Sequence, residues 1–365
     1  MSHILLTFDV EDWFQVENLR PYCPPATWDQ YELRVERNTH RLLDLMDSIQ
    51  LRSSNWSSEA KNCAPPVPSH SSASAPTTYN LQPTTDNRQY NLQPTTYNTT
   101  YNLQPTTKIT ATFFILGWVA ERLPGLVREI GNRGHEIASH GYGHELCSGL
   151  GREELREDIS RSKKLLEDIA GARVHGYRAP GFSAGNSVLD LVREAGYAYD
   201  SSFNSIEFNH RCARVDLSGA LRRGNAWRMP SGLVELPISN LRIGARSIPW
   251  GGGGYFRLYP LPLYLAGVRR ILRREGGFVF YMHPWEVDPG QPKIDKLGAV
   301  ARFRHYHNLN NTAGKLRRFL DAMRESPMTS CVDYLRGLPA AGQEWVPFLG
   351  SSGCAVEKTS PETSA

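Results

Sequence analysis

The chain has 365 residues, 40% of them hydrophobic, and carries 41 Lys and Arg against 37 Asp and Glu, a formal charge of +4. That apolar share can build a core, which excludes full disorder. A charge so near balance, without a Lys/Arg cluster, excludes a nucleic-acid footprint. No apolar run approaches the roughly 20 residues a bilayer needs, so no transmembrane segment is expected.

The opening residues Met1 to Asp9 lack a basic stretch followed by a long apolar one, so no signal peptide is expected. The expected location is cytoplasmic, with the periphery of the inner membrane included. The 6 cysteines form no C-x-x-C pair and read as free thiols of a reducing compartment.

In chain order, Ile4–Asp9 is an apolar run ending in acids, hence a buried strand. Arg34–Ile49 carries Val35, Leu42, Met46 and Ile49 near helical spacing. Residues 50–107 then change character. Ser, Thr, Asn, Gln and Pro dominate, and Tyr-Asn-Leu-Gln-Pro-Thr-Thr stands at 79–85, 90–96 and 101–107. One Tyr and one Leu per repeat cannot offset ordering entropy, and Pro in each repeat excludes a helix. The stretch is expected to be a disordered insertion.

Alternation follows. Thr110–Leu116 reads as a strand, Val119–Asn132 as a helix, Glu136–Ser139 as a strand and Arg152–Ile169 as a helix capped by Gly171. Val174–Tyr177, Ser187–Ala195 and Tyr197–Tyr199 continue as strand, helix and strand. Leu233–Pro237, Leu263–Arg274, Phe278–Met282 and Thr312–Arg324 complete the series as strand, helix, strand and helix. The end, 338–365, is rich in Pro, Gly and Ser and is expected to be a flexible tail. Strand–helix alternation predicts an α/β fold with a parallel sheet, open or closed, with active groups at the carboxyl ends of strands. The titratable residues obey that rule: Asp9, Glu11, Asp12, His140, His144, Arg178, Asp200 and His283 all follow predicted strands.

His140-Gly-Tyr-Gly-His144 places two imidazoles four apart, which lets them reach one metal, although surface histidines on a Gly-rich loop have the same pattern. Asp9-Val-Glu-Asp12 adds carboxylates for a ligand and a base; a helix N-cap is the structural alternative for such a turn. Arg178 in Arg-Ala-Pro-Gly is able to hold a carboxylate bidentately or to be part of a plain turn.

These motifs in this order resemble the polysaccharide deacetylases, carbohydrate esterase family 4, with the nodulation-type (NodB-like) domain. Thr7-Phe8-Asp9-Val10-Glu11-Asp12 stands where the family has T-F-D-D-G. Ser139-His140-Gly-Tyr-Gly-His144 matches S-H-x(3)-H, Arg178-Ala-Pro180-Gly-Phe182 loosely matches R-x-P-Y/F-G, and Tyr281-Met282-His283 matches L-x-H. The sequence is similar, more closely, to a subgroup encoded with exopolysaccharide and exosortase (PEP-CTERM) loci, through motifs at 9–14, 35–39, 111–122, 134–144, 176–180, 252–257, 283–286 and 302–306.

The resemblance implies a distorted (β/α) barrel formed by 1–49 and 108–337 as one domain. It implies metal-dependent removal of N-acetyl groups from N-acetylhexosamine units of a polysaccharide or its precursor. Asp9 would be the base, His283 the acid and Arg178 the residue that orients Asp9. Asp12, His140 and His144 would hold a divalent metal, Zn2+ or else Co2+, with Glu11 as the alternative ligand. Strand alternation puts Asp9 and Glu11 on one side, but Asp is the family's ligand, and Asp12 is preferred on that ground. Trp285, Tyr142, Pro180 and Gly181 are the expected substrate contacts. Two other functions stay open: a metal-independent, allantoinase-like amidohydrolase, and an inactive carbohydrate-binding module.

Overall fold

The computed structural model describes residues 2–62, 108–206, 215–244 and 246–338, with side chains from 2 to 49 in the first stretch. Met1–Ile49 and Thr107–Ala365 form one compact unit and Gln50–Thr106 a second.

Strand β1 is His3–Val10, followed by helix α1, Val35–Asn62. The helix passes the expected boundary at 50, because no Pro or Gly interrupts the chain before Pro65. Positions 50–62 of the expected insertion are therefore helical, while 63–107, with all three repeats, lie outside the described residues, as does the tail from 339. Next come β2 (Thr112–Ile115), α2 (Gly117–Arg122) and α3 (Pro124–Asn132). The single helix expected over 119–132 is two, because Pro124 lacks the N–H that would continue the ladder and starts a new first turn.

The alternation continues with β3 (Glu136–Ser139), α4 (Arg152–Ala170), β4 (Gly176–Tyr177), α5 (Asn186–Glu194) and β5 (Tyr199–Asp200). Helix α4 ends as expected at Gly171, in the left-handed region at φ 63°. The hairpin β6 (Leu221–Arg223) and β7 (Ala226–Arg228) leads into β8 (Val234–Glu235). A second hairpin joins β9 (Asn240–Ile243) to β10 (Arg246–Pro249). Then follow α6 (Gly253–Leu258), α7 (Leu261–Glu275), β11 (Gly277–Met282), α8 (Ala299–Tyr306), α9 (Leu309–Ala322), β12 (Met328–Thr329) and α10 (Cys331–Gly337).

The sheet order is β11-β1-β2-β3-β4-β5-β8-β7-β6, with β12 also on β1. From β11 to β8 all pairs are parallel. The gap between β8 and β11 is spanned without a regular strand. Ile238 bridges Asn204, Gly251 donates its N–H to the Ser239 carbonyl, and Tyr281 donates its N–H to the Gly251 carbonyl. Gly251 has no space for a side chain, since a Cβ would stand 2.6 Å from the Val279 carbonyl oxygen. The result is the expected distorted (β/α) barrel.

Strand β1 shows how the barrel sorts its residues. Ile4, Leu6, Phe8 and Val10 face the outer core with the helices. Leu5 faces inward, packed with Phe114, Ala138, Tyr199, Val279 and Tyr334. Burying each such side chain gains about 1.5–3 kcal/mol. Thr7 and Asp9 continue the inward row and are buried too. The interior is thus apolar at the amino ends of the strands, plugged by Cys331, Tyr334 and Leu335 of α10, and polar at the carboxyl ends. Cys23, Cys147 and Cys331 are buried free thiols. Among the described residues no helix is long and apolar enough to cross a membrane.

Candidate active site and metal centre

The carboxyl ends of β1, β3, β4 and β11 bring Asp9, Glu11, His140, His144, Arg178 and His283 together. One ligand atom each from Glu11, His140 and His144 lies within 4.8 Å of the others, and all three residues are buried. The histidines converge from a loop. Gly141 (φ 71°) and His144 (φ 54°) both sit in the left-handed region, which turns the chain back on itself, and the two rings stand 5.4 Å apart. Asp158 accepts the N–H groups of Tyr142 and Gly143 and fixes that turn.

Each ligand candidate is oriented from behind. His140 Nδ1 lies 2.8 Å from the Arg178 carbonyl oxygen, which makes Nδ1 the protonated nitrogen and leaves Nε2 as a lone-pair donor. Glu11 Oε2 and His144 Nε2 approach to 2.5 Å, yet Oε2 has no aligned hydrogen bond. Burial would raise the Glu11 carboxyl, but His144, His283 and His140 outweigh it and hold it at about 2. Two imidazoles and an ionised carboxylate, all buried, with one carboxylate oxygen free of an aligned hydrogen bond, fit a divalent cation.

Asp12 does not join this set. Its Oδ1 accepts the Trp13 N–H at 2.8 Å, and its Oδ2 accepts those of Arg34 at 2.6 Å and Val35 at 2.8 Å. It is a cap for the turn after β1 and for the start of α1. Burial pushes its carboxyl up to about 6 against those donors. The structure therefore places Glu11, not the expected Asp12, beside the histidines. Strand β1 ends at Val10, where the Glu11 N–H turns back to the Asp9 carbonyl; Glu11 stays on the side of the histidines, and Asp12 turns away to its backbone donors.

Arg178 is fully buried, with Nη1 2.6 Å from Asp9 Oδ1 and 2.9 Å from the Thr7 hydroxyl. Its Nε and Nη2 donate to the Ser201 carbonyl and hydroxyl. Asp200 acts indirectly, holding the Ser202 hydroxyl, which accepts the Ala179 N–H. Asp9 Oδ2 stays free of Arg178 and faces His283 Nε2 at 3.9 Å. His283 Nε2 also stands 3.4 Å from Glu11 Oε1, and its Nδ1 meets Glu286 Oε1 at 2.9 Å. Burial would lower the His283 pKa, but Glu11, Glu286 and Asp9 raise it to about 9.

Two expected substrate contacts are placed otherwise. Trp285 is 4% exposed and stacked between His283 (5.3 Å, 21°) and His305 (4.4 Å, 11°). Both its faces are taken, so it offers no platform to a sugar. Tyr142 gives its hydroxyl to Glu121, and the Arg161 guanidinium lies 3.5 Å from its ring centroid. Pro180 is buried, and Gly181 adopts φ 59° where a Cβ would meet Leu146 at 2.8 Å. Sequence reasoning missed the roles of Thr7, Ser201, Ser202, Glu286 and Arg257. Thr7, Arg257 and Glu286 stand in motifs that carry the resemblance, whereas Ser201 and Ser202 stand in none.

A cavity of about 1100 Å³ opens at the other end of the barrel, lined by His135, Glu136, Val174 and His175, so concavity alone would misplace the site. His135 has neither ring nitrogen paired, and burial holds its pKa down at about 4; burial likewise holds His305 at about 3. Unfolded histidine titrates near 6.5, so between about 6.5 and 4 the unfolded chain binds more protons than the folded one. Stability is therefore expected to fall as pH drops through that window, by up to about 3 kcal/mol for each group. Melting temperatures from pH 7 to 4.5 measure this, and His135→Phe should flatten the slope. An unchanged slope would contradict the assignment.

Residues 81–199 match the family model described as Polysaccharide deacetylase, and 201–333 match one described as a domain of unknown function (DUF3473). The chain is 36% identical over 90 residues to the peptidoglycan-N-acetylglucosamine deacetylase of Bacillus cereus, covering 25% of this chain and 42% of that protein. It is 30% identical over 92 residues to the chitooligosaccharide deacetylase of Sinorhizobium fredii, covering 25% and 43%. The chain thus spans less than half the length of these curated relatives. A candidate polysaccharide deacetylase structure from Mycobacterium smegmatis aligns with 90% of this chain and 85% of its own, at 20% identity and a TM-score of 0.48. His140, His144 and Arg178 lie in the first matched segment, His283 in the second, and Asp9 and Glu11 precede both. The stretch 81–199 is thus similar to polysaccharide deacetylases.

Proposed function

We propose that this protein is a metal-dependent hydrolase that removes N-acetyl groups from N-acetylhexosamine units of a polysaccharide or its precursor. The observation that carries this reading is the meeting of Glu11, His140 and His144 beside the Arg178-held Asp9 and His283. Residues 1–49 and 108–337 act together in it as one catalytic domain, with 50–107 as an insertion and 338–365 as a tail. The eight ordered motifs favour an exopolysaccharide as the glycan.

Glu11, His140 and His144 would hold the cation, Zn2+ before Co2+ given two imidazoles. When bound, it polarises the acetamide carbonyl and acidifies water. Asp9 Oδ2, the oxygen that Arg178 leaves free, takes a proton from the attacking water. The N–H of Ala179 is taken by Ser202 and that of Phe182 by the Ala179 carbonyl, which leaves Gly181 to donate to the developing oxyanion. His283 Nε2 gives its proton to the amine nitrogen as the C–N bond breaks, and acetate and the free amine leave.

Purified protein is expected to contain about one divalent ion per chain, by the three-ligand argument. It should release acetate from N-acetylglucosamine oligomers, lose activity to a chelator and regain it with Zn2+ or Co2+. Protein with neither metal nor acetate release would end this reading. Release that survives chelation would favour the metal-independent amidohydrolase.

A further inference from the structure

The segment of unknown function, 201–333, contributes more than His283 itself. We propose that Arg257 is a positioning residue for the proton donor, acting through Glu286 to keep His283 Nε2 aimed at the reacting bond. The proposal rests on the deacetylase reading and deepens it.

Glu286 is the hinge of the arrangement. Its Oε1 accepts the His283 backbone N–H at 3.0 Å and meets the Nδ1 of the same residue at 2.9 Å. Its Oε2 accepts the Arg257 Nε–H at 2.7 Å. Both residues are buried, at 1% and 2% exposure. The rest of the guanidinium is anchored on backbone. Nη1 donates to the carbonyls of His305 and His307, and Nη2 to that of Arg304. These are carbonyls at the end of α8, which lack intrahelical partners. Arg257 therefore cannot follow Glu286 if it moves; it fixes the carboxylate in place.

Glycine makes the approach feasible. At Gly253 a Cβ would stand 2.2 Å from Glu286 Oε1, and at Gly252 a Cβ would stand 2.8 Å from the Tyr281 hydroxyl. The plane of the imidazole is set separately by Trp285, itself backed by His305, whose Nε2 lies 2.7 Å from Gln291 Oε1. Residues 252–257, 283–286 and 304–307 thus meet behind one ring. A buried Arg–Glu pair is a poor source of net stability compared with apolar packing. Its geometry here serves orientation: proton donation needs the ring within about 3 Å of the leaving nitrogen, along the right line.

The test separates proton donation from general damage by the leaving group. An amine must be protonated as it departs, whereas 4-nitrophenolate leaves without a proton. The full chain, Arg257→Ala and Arg257→Lys are loaded with Zn2+. Each is assayed for kcat and KM on N-acetylglucosamine oligomers and on 4-nitrophenyl acetate. Arg257→Ala is expected to lower kcat on the amide about 100-fold. KM, and kcat on the aryl ester, should stay within about threefold, since neither needs the proton. Added guanidinium should restore part of the amide rate. Arg257→Lys retains charge and stem, so it folds if the alanine variant does not, and it should lose about tenfold on the amide alone. Equal losses on both substrates, or none on the amide, would overturn the proposal. A wild-type chain that cleaves the ester and not the amide would overturn the deacetylase reading and this inference with it.

Discussion

Asp9→Asn is expected to lower kcat for acetate release by about 10²–10⁴-fold while KM and metal content stay near wild type. Asparagine keeps the size of the side chain and an oxygen for Arg178 Nη1, now 2.6 Å from Oδ1. It removes the ability to take a proton at the position of Oδ2, which faces the site. The conservative change matters because Arg178 is fully buried. Asp9→Ala would strand that charge and cost about 3–5 kcal/mol, confounding chemistry with folding. Steady-state kinetics, metal analysis and a melting curve on the same sample give the answer. Full activity in Asp9→Asn would remove Asp9 from the role of base.

The second large effect separates Glu11 from Asp12. Glu11→Ala is expected to weaken metal binding by more than about 100-fold, since losing even an outer-shell partner costs 10–100-fold. Asp12→Ala should retain the metal. It should instead lose about 2–4 kcal/mol of stability, because three backbone N–H groups lose their acceptor. Metal content by mass spectrometry and a denaturant titration read the two effects independently. If only Asp12→Ala loses metal, the geometric assignment is wrong.

These two cases also show what was legible. The alternation of β1 already put Thr7, Asp9 and Glu11 in one row, and the structure keeps that row facing inward. Precedent pointed to Asp12, and local chemistry overrode it: a short carboxylate after a strand satisfies orphan N–H groups of the next turn and of the start of α1. The helix expected over 119–132 breaks at Pro124, a signal present in the sequence.

By itself the sequence determined the α/β alternation and the placing of titratable groups, among them Asp9, His140, His144, Arg178 and His283, at strand ends. Such features are periodic or local, so a linear string carries them. Only the tertiary structure decided that Trp285 stacks behind His283, that Asp12 is taken up by the N–H groups of Trp13, Arg34 and Val35, and that Arg257 reaches Glu286. Each of these depends on which buried group finds which partner across the barrel. Pairing between residues distant in sequence is set by packing and by the cost of an unsatisfied buried charge, which no spacing rule encodes.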